Sequence, residues 1–551
     1  MMQEISAPKQ SAVRQRVHAI HLLLAGFILL SLALNIYWIR YNTVPPTWDQ
    51  AWYLENAVSF YQHLRHEGLP GLWSAYTDAF EIKAPLISLL SLPSFLTIWP
   101  GPDTAMIPNL ILLVCLNVFL FLLVRQRFSE THALLAVLIT STMPVLVILS
   151  HQYLVEYGLT ALVVIWMYLL YKSRFYRSRA CNLWLGITLG LGLLMKVLFP
   201  LYIALPALIA FVVRLGEEPR RQQPRALLDV AIILVVGLAV ASTWYAFNWR
   251  AVTRFALTAS FGENAQDYSL GNNFAWQTIV YYWKILINDA LSVYYAACLG
   301  LVGLAYLLQS LIRRRRWHVS ADLLLLGGWF AAPFAVITVG VNKDPRFLAP
   351  ALPALGIAIA WLLVAVLGPR VKYAFPLLFV VPALAALYLI APVEIINLPV
   401  QYHGFVLLPD KRGDNPAFAC APRQENWPLV EMLAAIHKDD PGTPRTIYTV
   451  VDHPYLNVNT LAYYRTLHAY PLQVLTLAYW PKDAPQSQVR DALNQAQYLI
   501  LKTGNQGPAF TTWRDDQVRA DLEAGALPFQ RWQTYDLPDG SVCEIYRQMT
   551  N

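Results

Sequence analysis

Residues 104–124 read TAMIPNLILLVCLNVFLFLLV, a run of mainly apolar side chains without a single charge. A helix of about 20 residues spans the roughly 30 Å hydrocarbon core of a bilayer, so this run is long enough to cross a membrane. Arg125 and Arg127 follow immediately, and basic clusters of this kind typically mark the cytoplasmic end of a span. The stretch therefore predicts a transmembrane helix.

Similar apolar runs recur along the first 395 residues, and about eleven of them are long enough to be spans. The first run is too long for a signal peptide, and Asn35-Ile36-Tyr37-Trp38 provides no small-residue cleavage site. The region 182–213 is either two short spans around Lys196 or one broken helix. The predicted spans lie near 18–39, 104–124, 131–150, 155–171, 182–196, 197–213, 227–247, 290–311, 321–341, 347–367 and 373–395.

The overall composition agrees with a membrane protein. Of the 551 residues, 57% are hydrophobic and 14% are charged, whereas ordinary soluble domains contain about 25% charged residues. Aromatic residues make up 13%, as expected where Trp and Tyr side chains lie at bilayer interfaces. The formal net charge of +7 comes from short basic clusters between apolar runs, so it indicates membrane topology and not nucleic-acid binding.

The basic clusters also predict the orientation of the chain. With about eleven spans, all six clusters fall on the same side, and short cytoplasmic loops collect Lys and Arg. We therefore expect a multi-pass protein of the bacterial inner membrane, with a cytoplasmic N-terminus and a periplasmic C-terminal region. The clusters are Arg14/Arg16, Arg125/Arg127, Lys172 to Arg179, Arg214 to Arg225, Arg313 to Arg316 and Arg370/Lys372.

The predicted outer face carries two long loops and a polar tail. The loops, 40–103 and 248–289, belong to a predicted transmembrane domain of residues 1–395. In the tail, 396–551, strand-like and helix-like runs alternate, which predicts a small α/β domain. The predicted strands are Thr446–Val451, Leu472–Leu477, Tyr498–Leu501 and Ser541–Tyr546. The expected fold is thus a polytopic α-helical membrane protein with a C-terminal extracytoplasmic α/β domain.

The chain has five cysteines, and none forms the CxxC spacing of a metal site. Cys115, Cys181 and Cys298 lie in or beside apolar runs, where Cys usually behaves as a small hydrophobic residue. Cys420 and Cys543 lie in the predicted extracytoplasmic domain, where an oxidising compartment permits a disulfide between them.

The first outer loop places an acid and a base close to the membrane surface. Asp49 opens Asp49-Gln50-Ala51-Trp52-Tyr53 just after the first span, where it is either a solvated interfacial charge or a functional carboxylate. Lys83 lies in Phe80-Glu81-Ile82-Lys83-Ala84-Pro85-Leu86. It is either a side chain that snorkels to the interface or a cation for an anionic headgroup.

Later outer turns add further charges. His151 and Glu156 lie at the outer ends of two spans, and ionisable groups at membrane depth are functional candidates because an unpaired charge there is costly. Lys196 either caps a short turn or belongs to the site. Arg346 either pairs locally with Asp344 or faces a phosphate, which the planar guanidinium binds through two hydrogen bonds. A transporter would keep such groups near the middle of its spans, often within internal repeats, and the sequence shows no repeat.

Four short motifs follow one another along the first 365 residues: Asp49-Gln50-Ala51-Trp52-Tyr53, Lys83-Ala84-Pro85-Leu86, the Gly-rich span from Gly190 to Lys196, and Arg346-Phe347-Leu348-Ala349-Pro350. Together they resemble the GT-C superfamily of membrane glycosyltransferases, particularly protein O-mannosyltransferases and bacterial aminoarabinose and lipopolysaccharide-core transferases. The resemblance runs through most of residues 20–365. Gln50 stands where many members have a second acid, which weakens the case for a metal ion, and Ala84 replaces a proline.

The resemblance implies an inverting glycosyltransferase that moves a hexosyl or pentosyl unit from a polyprenyl-phosphate donor to an acceptor hydroxyl at the outer membrane face. It implies Asp49 as the general base on that hydroxyl. Lys83, Arg346 and Lys196 would bind the donor phosphate and stabilise charge on the leaving group. The residues expected to contact substrate are Glu156, Glu81, Tyr53 and His151.

The expected partners are the lipid-linked sugar donor, membrane lipid and a glycan, lipid or protein acceptor, without nucleic acid. No cofactor is indicated, and a divalent metal is permitted but not indicated. The C-terminal domain is expected to face the acceptor or to cover the substrate. Three other functions stay open: a lipid or solute transporter (flippase), an envelope-polysaccharide polymerase or ligase with a lipid-diphosphate donor, and a receptor that works through its outer domain.

Overall fold

The computed structural model describes residues 7–80, 82–261, 271–272, 274–314, 320–412, 421–439, 444–481 and 483–549, with backbone alone at 7–17 and 259–261. The chain divides into two compact units. The first unit consists of Met1–Ile39, Tyr76–Ile87 and Met106–Pro422. The second unit consists of Arg40–Ala75, Ser88–Ala105 and Arg423–Asn551.

Helices dominate the first unit because only internally hydrogen-bonded backbone is stable in lipid. Numbered along the described chain, the helices are α1 (Ala7–Tyr41), α2 (Trp48–Asp78), α3 (Leu86–Leu90), α4 (Leu92–Thr97), α5 (Pro102–Ala105), α6 (Ile107–Arg125), α7 (Glu130–Ser141), α8 (Pro144–Ser150), α9 (Val155–Lys172), α10 (Arg179–Met195), α11 (Phe199–Glu217), α12 (Gln223–Phe261), α13 (Trp276–Ile285), α14 (Val293–Ile312), α15 (Ala321–Val339), α16 (Leu352–Leu367), α17 (Val371–Ile390), α18 (Leu429–Asp439), α19 (Val458–Leu467), α20 (Gln486–Asn494), α21 (Ala509–Thr512) and α22 (Asp515–Glu523). A π-helical turn spans Leu286–Ala290, and 3₁₀ turns span Arg220–Gln222, Pro345–Ala351 and Gly368–Arg370.

Within the described residues, eight helical segments are long and apolar enough to cross a membrane, or nine when the bent pair α7–α8 counts as one span. The predicted polytopic membrane fold is confirmed, although about eleven spans were expected. α10 has 17 residues and falls short of a full span. α7 and α8 bend by 72° where Pro144 begins a new helix, since proline cannot continue the preceding one. The 3₁₀ turn Gly368–Arg370 joins α16 and α17 inside one 46-residue segment, Pro345–Ile390.

Glycines let α10 pack closely against α12. A Cβ atom on Gly190 would lie 2.4 Å from Cβ of Val240, and one on Gly186 would lie 2.7 Å from Cβ of Val236. Small residues at helix interfaces allow backbones to approach in this way, which increases van der Waals contact. The Gly-rich motif therefore has a packing function that fixes α10, whose C-terminal end leads to Lys196.

The second unit contains a sheet with helices on both faces. Its described strands follow the order β4-β3-β5-β7-β6; β4, β3 and β5 are parallel, and β7 and β6 are antiparallel to their neighbours. The predicted C-terminal α/β domain is confirmed. A mainly parallel sheet was expected, but the described sheet is mixed, with two parallel and two antiparallel pairings, and β6 was not predicted. Numbered along the chain, the strands are β1 (Val400–Tyr402) and β2 (Phe405–Leu408), a hairpin in the first unit, and β3 (Arg445–Thr449), β4 (Leu472–Thr476), β5 (Tyr498–Lys502), β6 (Phe529–Asp536) and β7 (Val542–Gln548).

Alternating side chains of the central strands build the two cores of this unit. Ile500 on β5 and Ile447 on β3 belong to one core, and Leu499 and Leu501 on β5 belong to the other. Successive residues of a strand point to opposite faces, so a strand covered on both sides is apolar at every position. This explains why the apolar run of β5 was recognisable in the sequence.

The second unit also includes α2 as far as Ala75. Glu55 accepts hydrogen bonds from Arg465 Nη2 at 2.8 Å and from Thr466 Oγ1 at 3.0 Å, both on α19. Gln62 donates to the Thr466 carbonyl at 2.7 Å, and Val44 packs against the sheet core. Two segments remote in sequence thus form one folded body.

Gly507 provides a test of the loop that follows β5. Its φ is +118°, and a Cβ atom would lie 2.3 Å from the carbonyl oxygen of Asp452, so Gly507→Ala must displace the backbone. We expect faster amide hydrogen exchange in residues 450–453 of this variant, because local strain of about 1–3 kcal/mol lowers local stability. Gly525→Ala is the control, since Gly525 has φ +66° and no atom within 4 Å of the added Cβ. Equal exchange in the two variants would contradict the close approach.

Candidate active site

The first unit holds a buried ion pair between the ends of two helices. Glu156 is 3% exposed, and its Oε1 accepts a hydrogen bond from Lys196 Nζ at 2.6 Å. Its Oε2 is buried without a hydrogen-bond partner among the described residues. An unsatisfied buried acceptor costs about 1–3 kcal/mol, so this oxygen is suited to accept a hydroxyl group of a ligand.

Helix ends favour both charges of this pair. Glu156 lies in the first turn of α9, and Lys196 follows α10 in an extended conformation with φ −159° and ψ 136°. A helix carries partial positive charge at its N-terminus and partial negative charge at its C-terminus. Gly192 permits the turn between helices, because a Cβ there would lie 2.4 Å from the ring of Phe199 in α11.

A second ion pair lies at the 3₁₀ turn that opens a late apolar segment. Arg346 Nε donates to Asp344 Oδ2 at 2.8 Å, and the Arg346 backbone N–H donates to Asp344 Oδ1 at 2.9 Å. The structure thus shows the local pair with Asp344, and phosphate binding by Arg346 stays a prediction. The Arg346 side chain is nevertheless 31% exposed, so part of the guanidinium is accessible.

Three buried aromatic side chains hold this turn. Tyr202 donates its hydroxyl to the Phe347 carbonyl at 2.8 Å, and Tyr282 donates to the Asp344 carbonyl at 3.1 Å. Trp329 donates its indole N–H to the same turn at 2.9 Å. These three residues were not identified from the sequence. Each binds a main-chain carbonyl, and no sequence pattern shows which carbonyl an aromatic side chain will bind.

The two ion pairs form one cluster. Lys196 Nζ lies 4.6 Å from the centre of the Phe347 ring, and Arg346 is close enough to Glu156 to interact with its charge. Lys343, 8% exposed, is directed elsewhere: it donates to the Thr338 carbonyl at 2.6 Å and lies 5.1 Å from the centre of the Tyr282 ring. The two cations and two anions of the pairs balance, so an anionic ligand would share a cation with a carboxylate. We call the two pairs the ion-pair cluster; its charged residues are Glu156, Lys196, Asp344 and Arg346.

Lys83 lies on a segment that is anchored to α12. Asn248 donates to the Thr77 carbonyl at 2.6 Å, and Trp244 donates to the Ala79 carbonyl at 3.1 Å. Both α12 side chains are buried, whereas Lys83 is half-buried. The predicted phosphate-binding lysine therefore lies beside a firmly attached stretch of the first unit.

The second unit holds Asp49 in the first turn of α2, where the helix dipole favours a carboxylate. The residue is half-buried. Gln50, which stands where a second acid was expected, donates to Thr47 Oγ1 at 2.8 Å. Trp48 donates its indole N–H to Asp452 Oδ1 at 3.0 Å. Both sequence neighbours of Asp49 therefore have hydrogen-bonded side chains.

Two further predicted substrate contacts are packed inside the protein. Tyr53 is 6% exposed. His151 is 4% exposed, donates through Nδ1 to the Val147 carbonyl at 2.6 Å, and lies with its ring centre 5.2 Å from that of Trp38. Burial lowers the pKa of His151 to about 4, so its imidazole is neutral near pH 7. Substrate contact by these residues stays a prediction, and Glu81 lies outside the described residues.

Within the described residues, neither the cysteines nor a group of metal ligands contributes to the site. Cys543 is buried on β7, and Cys420 lies outside the described residues, so their disulfide stays a prediction. Over the described ranges, no group of three or more His, Cys, Asp or Glu side chains is placed to hold a metal ion.

Asp289, which sequence reasoning missed, lies on the π-helical turn. Burial raises the pKa of its carboxyl to about 7. Asn288 beside it bonds the Gly404 carbonyl and the Val406 N–H, each at 3.1 Å, and so anchors the β1–β2 hairpin. Turns of this type are frequent at functional sites. The sequence signal was a polar pair inside an apolar run, which does not distinguish a π turn from a loop.

Part of the sequence matches a known family. Residues 94–245 match the model described as dolichyl-phosphate-mannose-protein mannosyltransferase. The matched region runs from α4 into α12 and includes Glu156 and Lys196. Among curated protein sequences, none is similar enough to count as a match.

Solved structures show the same fold over nearly the whole chain. ArnT from Cupriavidus metallidurans in the apo state has a TM-score of 0.57 at 16% identity, over 95% of this chain and 98% of that one. The structure of this ArnT bound to undecaprenyl phosphate has a TM-score of 0.53 at 15% identity, over 94% and 98%. The Archaeoglobus fulgidus oligosaccharyltransferase, in a complex with Zn and sulfate, has a TM-score of 0.51 at 12% identity, over 94% and 72%. The chain thus has an ArnT-like fold, and the predicted resemblance to the GT-C superfamily is confirmed.

The buried ion pair predicts a non-additive effect on stability. Lys196→Met leaves the buried Glu156 carboxylate without its cation, and an uncompensated buried charge costs about 3–5 kcal/mol. We expect the double variant Glu156→Gln/Lys196→Met to unfold at a higher temperature than Lys196→Met alone, as measured in one detergent. Arg125→Met is the control, because that side chain is 48% exposed in its pair with Glu130 and should have little effect. If the unfolding temperature of the double variant fell by as much as those of the two single variants together, the Glu156–Lys196 ion pair would be contradicted.

Proposed function

We propose that this protein is an inverting glycosyltransferase that moves a sugar from a polyprenyl-phosphate donor to an acceptor hydroxyl at the outer face of the bacterial inner membrane. The ion-pair cluster carries the proposal, because it brings two cations, Lys196 and Arg346, together at the ends of apolar helices. The fold supports it, since ArnT, the similar protein, is also known bound to undecaprenyl phosphate. A polyprenyl phosphate combines the two properties this arrangement suits: a long apolar chain and an anionic head.

The cations of the first unit are the proposed donor ligands. Arg346 and Lys196 bind the phosphate, sharing their positive charge with Asp344 and Glu156, and Lys83 contributes a third cation. The Arg346–Asp344 pair is partly exposed, so exchanging one anion for another there costs little. Cations aimed at the phosphate stabilise the charge that develops as it becomes the leaving group.

Asp49 is the proposed general base. Its carboxylate takes the proton of the acceptor hydroxyl as the hydroxyl oxygen attacks the anomeric carbon. The bond from that carbon to the phosphate oxygen breaks, and polyprenyl phosphate leaves with the electron pair. A single displacement of this kind inverts the anomeric configuration. The unsatisfied Oε2 of Glu156 is a proposed acceptor for a hydroxyl of the transferred sugar.

The placement of the chain follows from its basic clusters. Because short cytoplasmic loops collect Lys and Arg, the clusters support a cytoplasmic N-terminus and a periplasmic C-terminal domain. A glycan, lipid or protein on that side would then supply the acceptor hydroxyl.

Transfer of radiolabelled sugar tests this function. Purified protein in lipid is supplied with polyprenyl-phosphate sugars and a membrane extract as the acceptor source. We expect Asp49→Asn to lower transfer by about 10²–10⁴-fold, the usual contribution of a general base, while donor binding is retained.

Asp103→Asn is the matched control, since Asp103 is also a half-buried acid in the first turn of a helix, α5, in the same unit. It should transfer sugar at the wild-type rate. Wild-type protein that neither binds nor transfers any monophosphate-linked sugar would overturn the proposal, and an unimpaired Asp49→Asn variant would overturn the role of Asp49.

A further inference from the structure

The carboxyl edge of the parallel strands is the place where an open α/β sheet usually binds a ligand. β4 and β5 lie on opposite sides of β3, so the chain connections diverge at this edge and create a crevice. Asp452 follows β3 and is 3% exposed, and Lys502 ends β5 and is fully buried. The crevice therefore contains charged side chains that need partners.

The protein's own Trp48 is bound at this edge. Its indole N–H donates to Asp452 Oδ1 at 3.0 Å and to the Asp452 carbonyl at 3.2 Å. Tyr479 donates its hydroxyl to the carboxylate, at 3.2 Å from each oxygen. Burial nevertheless raises the pKa of Asp452 above its ordinary value. The carboxyl edge of the sheet, where a ligand usually binds, thus binds Trp48 of the first long loop.

Asp452 itself is rigidly placed. Its N–H donates to the Gln506 carbonyl at 2.9 Å. Gly507 approaches its carbonyl so closely that a Cβ atom would lie 2.3 Å away. Backbone contacts with Gln506 and Gly507, in the loop after β5, therefore fix the position of Asp452.

Trp48 is the first residue of α2, and Asp49 is the second. Further along α2, the α/β domain holds Glu55 through Arg465, at 2.8 Å, and Gln62 through Thr466, at 2.7 Å. The same domain holds the residue two positions before the helix, since Thr460 Oγ1 donates to the Pro46 carbonyl at 3.3 Å. Trp48 adds a contact at the first turn of the helix itself. The direction of the Asp49 side chain depends on the position of that turn.

We infer that Asp452 is a positioning residue for the general base: by accepting the Trp48 N–H, it sets the first turn of α2 and thereby the carboxylate of Asp49. The inference rests on the proposed function. It assigns the C-terminal domain a role in the reaction that requires no contact with substrate. Displacement of a catalytic group by about 1 Å can lower a rate by about 100-fold.

Activity measurements separate this role from simple folding. Asp452→Ala removes the carboxylate acceptor and leaves Trp48 only the main-chain carbonyl at 3.2 Å. We expect kcat to fall by about 10- to 100-fold with an unchanged KM for the donor. Asp452→Asn keeps a carbonyl oxygen for Trp48 and should retain at least about half of the wild-type kcat. Trp48→Phe removes only the N–H and should resemble Asp452→Ala. Because both variants break one interaction, the double variant should be no slower than either single one.

Asp439 offers a matched control at the opposite edge of the sheet. It accepts a hydrogen bond from Tyr498, the first residue of β5, and forms an ion pair with Arg547 at 3.1 Å. Asp439→Ala removes a hydrogen-bonded carboxylate from the same domain without touching α2. It should leave kcat at the wild-type value.

Amide hydrogen exchange of residues 47–53 supplies a readout that does not depend on activity. Exchange should be faster in Asp452→Ala and Trp48→Phe and unchanged in Asp452→Asn and Asp439→Ala. If Asp452→Ala fails to fold, Trp48→Phe carries the test, because it leaves the Asp452 carboxylate hydrogen-bonded to Tyr479.

The failure of the inference is distinguishable from the failure of the proposed function. Unchanged exchange or unchanged kcat in Trp48→Phe, with active wild-type protein, would overturn the inference alone. A fall in kcat of Asp439→Ala equal to that of Asp452→Ala would also overturn it, since the effect would then be general. Wild-type protein without sugar transfer would overturn the proposed function and this inference with it.

Discussion

A charge at the level of apolar helices must be paired, and this constraint accounts for the organisation of the first unit. Glu156 and Lys196 neutralise one another at the ends of α9 and α10. Arg214, 3% exposed, is likewise enclosed by Asp229 at 2.8 Å and Glu218 at 2.9 Å. Leaving one buried charge without a counter-ion costs more free energy than replacing its counter-ion by another. The pairs therefore fix helix positions, and an incoming anion can still share a cation with the carboxylate.

The helices were predictable from the sequence, whereas most contacts of the site were not. Hydropathy reports the local solvent of each residue, so the apolar runs were found directly, including the break at Lys196. The partner of Lys196 is 40 positions away, and only the close packing of helices brings the two together. For Arg346, the sequence allowed a local pair or a phosphate contact, and the structure shows the pair with Asp344. Tyr202 and Tyr282 were missed because their hydroxyl groups bind backbone carbonyls.

The second unit illustrates a different limit of sequence reasoning. Alternating strands and helices revealed the α/β domain, since its central strands are apolar on both faces. Nothing local in the sequence connects this domain to the first long loop, because Trp48 and Asp452 are separated by 404 positions. Their hydrogen bond depends on two independent facts: a crevice at the carboxyl edge of the sheet and a tryptophan one residue before Asp49. The structure thus joins the predicted general base to a domain whose function the sequence left open.

Binding of the lipid donor tests the central claim most directly. Purified protein in lipid nanodiscs is titrated with polyprenyl monophosphate and with the corresponding polyprenol, and a variant carrying Lys196→Met and Arg346→Leu is compared with wild type. The account predicts that the variant binds the monophosphate at least about tenfold more weakly, equivalent to about 1.4 kcal/mol, and binds the polyprenol unchanged. Equal affinity of both proteins for the monophosphate would contradict the assignment of the ion-pair cluster as the donor site.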